Sequence, residues 1–205
     1  MERIFVIGAS AGGMTALESL CADLPADFPA PVLIVMHVAP QGNDLLERLS
    51  QCSRLPVAHA TDGQMAVPGH ILIAAPGRHL TVTNESGQAR VKLVDSGNPL
   101  VLPPAIDPLF HSAAEAFRAQ TVGVVLSGFL DDGAQGLRAI KIAGGTAIVQ
   151  DPLDAMHADM PNHAIRAITV DSVLPAAAIG PALTALAHAA RTHTPVRLLA
   201  SIAAN

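Results

Sequence analysis

The chain has 205 residues, of which 50% are hydrophobic and 14% charged, with a formal net charge of −5 from 12 basic and 17 acidic side chains. This balance suits one compact globular domain with a large buried core and excludes a disordered or fibrous chain. The absence of a basic block, of Trp and of Tyr argues against a nucleic-acid-binding surface, which needs clustered cations and stacking platforms.

Residues 3–8, "RIFVIG", form a short apolar run with β-branched residues that ends in glycine, the pattern of a buried strand. Residues 13–24 carry Met14, Leu17, Leu20, Cys21 and Leu24 at helical spacing, so an amphipathic helix comes next. "PVLIVMH" (31–37) reads as a second buried strand, and 42–53 as a second helix with Asn43 or Asp44 as N-cap. The stretch from Gly69 to Asp95 alternates and is punctuated by "APG" and "ESG", which predicts antiparallel hairpin strands at 70–74, 78–83 and 89–95. A proline-rich extended loop leads to a helix from Asp107, with Pro108 at its first position. "TVGVVLSG" (121–128) is a strand and 132–144 its helix, closed by Gly144 and Gly145; 145–151 is a further strand. "MPNHAIRAI" begins a short helix. The tail, interrupted by Pro175 and Pro181, reads as a turn plus the packed helix "ALTALAHAARTH".

Strand–helix alternation with near-continuous apolar strands predicts a doubly wound α/β fold: a mainly parallel sheet with helices on both faces and an antiparallel hairpin at one edge. No linker or repeat divides the chain, so residues 1–205 are read as a single domain. Cys21 and Cys52 lie far apart and support neither a disulfide framework nor a zinc ribbon; reduced thiols in a cytoplasmic protein are the expectation. The apolar stretch near Met1 is too short for a signal-peptide core, and the other apolar runs are strand-sized, so no membrane insertion is expected.

Ligands of an open parallel sheet bind beyond the carboxyl ends of its strands. The first strand delivers Ser10, the second His37, the strand at 121–128 delivers Asp131 and Asp132, and the next Gln150 and Asp151. Serine, imidazole and carboxylate have complementary roles in acyl transfer: nucleophile, general base, and the group that orients the base. The turn "GASAGG" opens a helix whose first N–H groups lack helical partners, and its small residues allow close approach to the backbone.

Local spacing leaves other readings open. Ser10 could be an N-cap, His37 a structural histidine, and Asp131 and Asp132 caps of the following helix. A nucleotide-binding turn is the competing site. However, the spacing is G-x-x-x-G-G, no acidic residue ends the second strand, and no G-K-[ST] occurs. The histidines are scattered, and His157 and His163 are six apart, which is not a helix-face metal spacing. Neither a metal nor a cofactor is expected.

Taken in order, "IGASAGG", "VMHVAP" and "LSGFLDDGAQG" resemble the catalytic domain of the chemotaxis protein-glutamate methylesterases (the CheB type), and the resemblance runs from about Ile4 to about Leu174. "ILIAAPGRHL", "PPAIDPLFHSAAEAF" and "MPNHAI" add minor points of match. The resemblance implies hydrolysis of glutamate γ-methyl esters on methyl-accepting chemotaxis receptors or similar signalling proteins, with deamidation of certain glutamines by the same site. It implies a triad of Ser10, His37 and Asp132, the aspartate directly before Gly133, with oxyanion donors from the backbone N–H groups of Ala11 and Phe129. The sequence departs from the family pattern at Met36, where glutamine is usual, in "HVAP", at Leu130 and at Asp131. Because the chain opens on the first catalytic strand, a stand-alone catalytic domain without the family's phospho-receiver domain is expected. A catalytically silent receptor-binding adaptor keeps the same fold and is the alternative function.

Overall fold

The computed structural model describes residues 3–37, 44–97 and 102–192. Asn43, residues 38–40 of the "HVAP" motif and residues 98–101 of the proline-rich sequence lie outside the described residues. In chain order the elements are β1 (Ile4–Ala9), α1 (Gly13–Asp23), β2 (Val32–Met36), α2 (Leu45–Cys52), β3 (Val57–His59), β4 (Met65–Ala66), β5 (Ile71–Ile73), β6 (His79–Glu85) and β7 (Gln88–Val94). They continue with α3 (Ile106–Phe117), a 3-10 turn (Arg118–Gln120), β8 (Thr121–Val125), α4 (Ala134–Ile142), β9 (Thr146–Gln150), α5 (Asp159–Ala167), β10 (Ser172–Leu174) and α6 (Ala176–Thr192).

Seven strands form the main sheet in the order β10-β9-β8-β1-β2-β5-β3, and its pairings are parallel. Strand alternation divides the core in two. Phe5, Ile7 and Ala9 point to one face with Val32 and Ile34, where α1, α2 and α6 cover them. Ile4 and Val6 point to the other with Leu33 and Val35, under α3, α4 and α5. Both faces of the central strands are dry, which is why their sequences read as continuous apolar runs rather than alternating ones. The chain winds outward from β1 through β2 and then returns to the other side of β1 with β8. The topological switch point therefore lies between β1 and β8.

The hairpin region differs from the expectation. Ile71–Ile73 is a parallel strand of the main sheet, seated between β2 and β3, because all three of its side chains are buried and need cover on both faces. The two later strands do pair antiparallel, but with β4 they make a separate three-stranded sheet. That sheet is fastened to α3 rather than to an edge of the main sheet. The Val82 N–H donates to Ser112 Oγ at 3.1 Å and Asn84 Nδ2 to the Ala116 carbonyl at 3.2 Å.

Helix boundaries carry further corrections. Asp44 stands at the N-cap of α2 without a side-chain cap bond. Pro108 is the third residue of α3, not the first; it still falls in the first turn, where no N–H is needed. α4 ends as expected on a Schellman pair, with Gly145 N–H on the Ile140 carbonyl and Gly144 N–H on that of Lys141. The tail helix is longer than expected and runs straight through Pro181. Ile179, Leu183, Leu186 and Ala187 form one buried stripe that joins the α1 core. The burial of that stripe outweighs the missing hydrogen bond at proline. Among the described residues no helix is long and apolar enough to cross a membrane.

Pro181 is exposed and lies within α6, so Pro181→Ala restores a helical N–H without disturbing the core. The expected gain is about 1–2 kcal/mol, the interior-proline penalty less the entropy proline removes from the unfolded chain. Urea unfolding checks this; an unchanged or lowered midpoint would contradict it.

Candidate active site

The strand ends beside the switch point are held in register by backbone bonds that continue the sheet. Ser10 N–H donates to the Ser127 carbonyl at 2.9 Å, and His37 N–H to the Ala9 carbonyl at 3.0 Å. These bonds bring the residue after β1, the residue after β2 and the segment after β8 to one place. There, Ser10 Oγ lies 3.2 Å from His37 Nδ1, and His37 Nε2 lies 2.8 Å from Asp132 Oδ2. Ser10 is 9% exposed, whereas the His37 side chain is 34% and that of Asp132 23% exposed. An ionised Asp132 accepts, so His37 carries its proton on Nε2 and turns the Nδ1 lone pair to the Ser10 hydroxyl. This is the reverse edge from the serine-protease template, and either ring nitrogen can act as base.

Ser10 does not cap α1. The N-cap is Gly12 at φ 73°, and no side chain caps it. A side chain at Gly12 would meet Met156 Cβ at 2.6 Å and Ser127 Oγ at 2.8 Å, so both backbone and space require glycine there. The turn is braced from behind. Ser127 Oγ donates to the Ala11 carbonyl at 2.8 Å and accepts the His157 N–H at 2.9 Å. Gln150, at the end of β9, accepts the Ser127 N–H at 2.9 Å and donates to Asp154 Oδ2 at 2.8 Å. Asp151, the other residue named at that strand end, turns its carboxylate to the Leu153 N–H at 2.9 Å and belongs to the loop.

The segment after β8 is fixed at Gly128, whose N–H donates to the His157 carbonyl and whose carbonyl accepts from Met160 N–H. A Cβ on Gly128 would collide with Met160 Sδ and stand 2.7 Å from Ser10 Cβ, which puts the next amide, Phe129, beside the serine. Among the described residues, the N–H groups of Ala11 and Phe129 donate to no protein acceptor. The Phe129 ring lies against that of His157, with centroids 4.0 Å apart.

Asp132 also holds the start of α3. Its Oδ2 accepts the Ile106 N–H at 2.7 Å and its Oδ1 the Asp107 N–H at 3.0 Å. The Ala105 N–H donates to His79 Nδ1 at 3.1 Å, and Pro108 has no N–H. Every donor that a helix start leaves orphaned is therefore accounted for. An aspartate of the pair does cap a helix, but not the one that comes after it in the chain. The N-cap of α4 is Gly133, and Asp132 caps α3 instead. Asp107 returns the bond, its Oδ1 accepting Gly136 N–H in the first turn of α4 at 2.7 Å. Sequence reasoning names Asp107 only as a helix start and gives neither it, His79 nor Ser127 a role in the site. Their partners lie 23 to 116 residues away, and no local spacing encodes them.

Burial alone would raise the Asp132 carboxyl. The bonds from His37 and from the Ile106 and Asp107 N–H groups outweigh it and hold Asp132 below the ordinary carboxylate value. Burial raises Asp107; the Gly136 bond opposes that, and the nearby Asp132 charge adds to it. Burial lowers His79, with Asp132 pulling the other way. Both Cys21 and Cys52 are free thiols, and burial pushes Cys21 up to about 12. Among the described residues no cluster of His, Cys, Asp or Glu could hold a metal ion.

A carboxylate depressed in the folded state contributes stability that is fully present above its unfolded value, about pH 4, and is lost as pH falls through the folded value. Asp132→Asn is therefore expected to be less stable than the wild type at neutral pH, with the difference shrinking below about pH 4. Urea midpoints across a pH series check this; a difference independent of pH would contradict it.

Against this geometry, comparison with known proteins is specific. The family model for CheB methylesterase matches residues 5–183. A protein-glutamate methylesterase/protein-glutamine glutaminase of Rhodopseudomonas palustris (strain HaA2) is 39% identical over 186 residues, covering 90% of this chain and 48% of its own length. One from Geobacter metallireducens is 41% identical over 186 residues, covering 90% of this chain and 53% of its own length. The crystal structure of the Thermotoga maritima CheB methylesterase catalytic domain superposes with a TM-score of 0.86 at 35% identity, covering 91% of this chain and 99% of that one. The chain spans about half the length of the curated relatives it matches. It belongs to the CheB methylesterase family.

Proposed function

We propose that the chain hydrolyses γ-methyl esters of protein glutamate side chains, through Ser10 as nucleophile, His37 as general base and Asp132 as the group that orients and charges the base. The observation that carries this reading is the unbroken hydrogen-bond line Ser10–His37–Asp132, with two amides at the serine, Ala11 and Phe129, that are unengaged among the described residues. The names of the relatives support the ester substrate and, by the same site, deamidation of glutamine. Receptors of a chemotaxis pathway are the proposed protein substrates.

Each group's position sets its step. His37 Nδ1 takes the proton of Ser10 Oγ as that oxygen attacks the ester carbonyl. Asp132 stabilises the imidazolium that forms. The oxygen that becomes negative accepts the N–H groups of Ala11 and Phe129. The imidazolium returns its proton to the departing methoxide, and methanol leaves. A water, deprotonated by His37, then releases the glutamate from Ser10. The geometry favours this over a phosphate-binding turn, because the Ser10 hydroxyl faces an imidazole.

Ser10→Ala should reduce methanol release from a peptide glutamate methyl ester by about three orders of magnitude or more. Asp132→Asn should lose about 10²-fold or more, and far more than Asp131→Asn. Headspace methanol assay checks both. Full activity in Ser10→Ala would overturn the nucleophile, and equal losses at the two aspartates would overturn the choice of Asp132.

A further inference from the structure

Beside the triad a groove runs between the turn after β8 and the start of α3. Among the described residues its ionisable lining consists of His37, Asp107, His111, Asp131 and Asp132, with no lysine or arginine. Two of the three carboxylates are engaged. Asp132 receives His37 and two helix amides, and Asp107 receives Gly136. Asp131 is exposed, and among the described residues its carboxylate has neither a hydrogen-bond nor an ion-pair partner.

Its position is built rather than incidental. The preceding residue, Leu130, holds φ 63°, a conformation that disfavours any residue with a β-carbon and persists only where its surroundings enforce it. His163 Nδ1–H, on α5, is shared between the Leu130 carbonyl and the Asp159 carbonyl, each at 2.9 Å, and ties the turn to that helix. The turn presents Leu130, 73% exposed, next to Asp131, and Phe129, Met156 and Leu102 stand exposed around the same rim. Met156 also touches the Ser10 turn. Among the described residues, the mouth of the site is thus apolar with an unpaired negative charge, and no fixed cation lines its groove.

We propose that this mouth is a charge filter. Asp131 selects ester-bearing segments whose neighbouring residues are apolar and basic over segments with acidic neighbours, and it speeds departure of the acid product. This rests on the esterase reading above. Hydrolysis breaks the ester C–O bond, adds water, releases methanol, and leaves a carboxylate and a proton where the substrate was neutral. The new negative charge then lies near Asp131 and is repelled. An exposed charge acts through water over about one Debye length, about 10 Å at 0.1 M salt and more at lower salt, so each flanking charge changes the preference by a few-fold at low ionic strength.

The test uses synthetic peptides with one glutamate γ-methyl ester, flanked by lysines, by glutamates or by uncharged residues. In about 0.02 M salt the wild type is expected to show a kcat/KM ratio, lysine-flanked over glutamate-flanked, of about tenfold, falling toward one in about 0.5 M salt. Asp131→Asn should lower that ratio by about threefold and strengthen inhibition by the free-acid peptide by a similar factor. Ratios within one enzyme cancel any general change in turnover. Glu115→Gln, the same charge change near the far end of α3, should keep the wild-type ratio. A wild-type ratio at or below one, or one insensitive to salt, would overturn the filter, as would an Asp131→Asn ratio equal to that of the wild type. No hydrolysis of the uncharged peptide would instead overturn the esterase reading, and the filter with it. The salt series needs only the wild-type chain and stands even if a variant fails to fold.

Discussion

A helix that begins in the protein interior must satisfy the N–H groups its own geometry leaves without partners. At the start of α3 that requirement is met by His79, by both oxygens of Asp132, and by a proline that has no N–H to satisfy. The same Asp132 oxygen that accepts the first helical amide also accepts His37. The carboxylate bonded to the imidazole is therefore not a side chain free to rotate on a loop; it is locked by two backbone donors. Charge-assisted bonds of this kind are short and strong, and they keep the group ionised despite its burial. Asp107 closes the arrangement by returning a bond to the first turn of α4. The two helices that flank the groove thus hold each other's beginnings.

The other half of the site depends on strand register. Ser10 and His37 each come directly after a strand that pairs with β1 or is β1, and their own amides extend the ladder by one step. Their separation is therefore set by the sheet spacing rather than by loop conformation. The Ser10 turn is backed by Ser127, which Gln150 holds in place, and Met156 packs against it at Gly12. Rigid placement of this sort lowers the reorganisation needed when charge develops on a reacting oxygen. The rim is different in character: exposed apolar side chains and Asp131, whose carboxylate has no partner among the described residues, surround a more buried interior in which the Ser10, His37 and Asp132 side chains are bonded to one another.

Much of this is legible in the amino-acid order. The buried strands announce themselves as apolar runs, and the residues just beyond each run mark the carboxyl edge of the sheet. Ser10, His37 and the Asp131–Asp132 pair can therefore be named from the chain alone. Choosing Asp132 over Asp131 requires the family resemblance, because spacing cannot tell which of two adjacent carboxylates turns inward. β3 and β10 escape a sequence reading because three residues such as "VAH" or "SVL" give too little periodicity. β5 reads as a hairpin strand because its flanking turns resemble hairpin turns, and only its two-sided burial distinguishes it. The roles of Ser127, Asp107 and His79 are invisible because each acts on a backbone group that is distant in sequence. The helix through Pro181 shows a local breaker overridden by packing.

The central claim is that Ser10 is a nucleophile activated by His37. Treatment of the intact chain with a fluorophosphonate, followed by peptide mass spectrometry, tests it most directly. One phosphonyl adduct is predicted, on the peptide carrying Ser10, formed at a rate that collapses when His37 is replaced by alanine. Modification at another residue alone, or at Ser10 with the same rate in the absence of the imidazole, would contradict it.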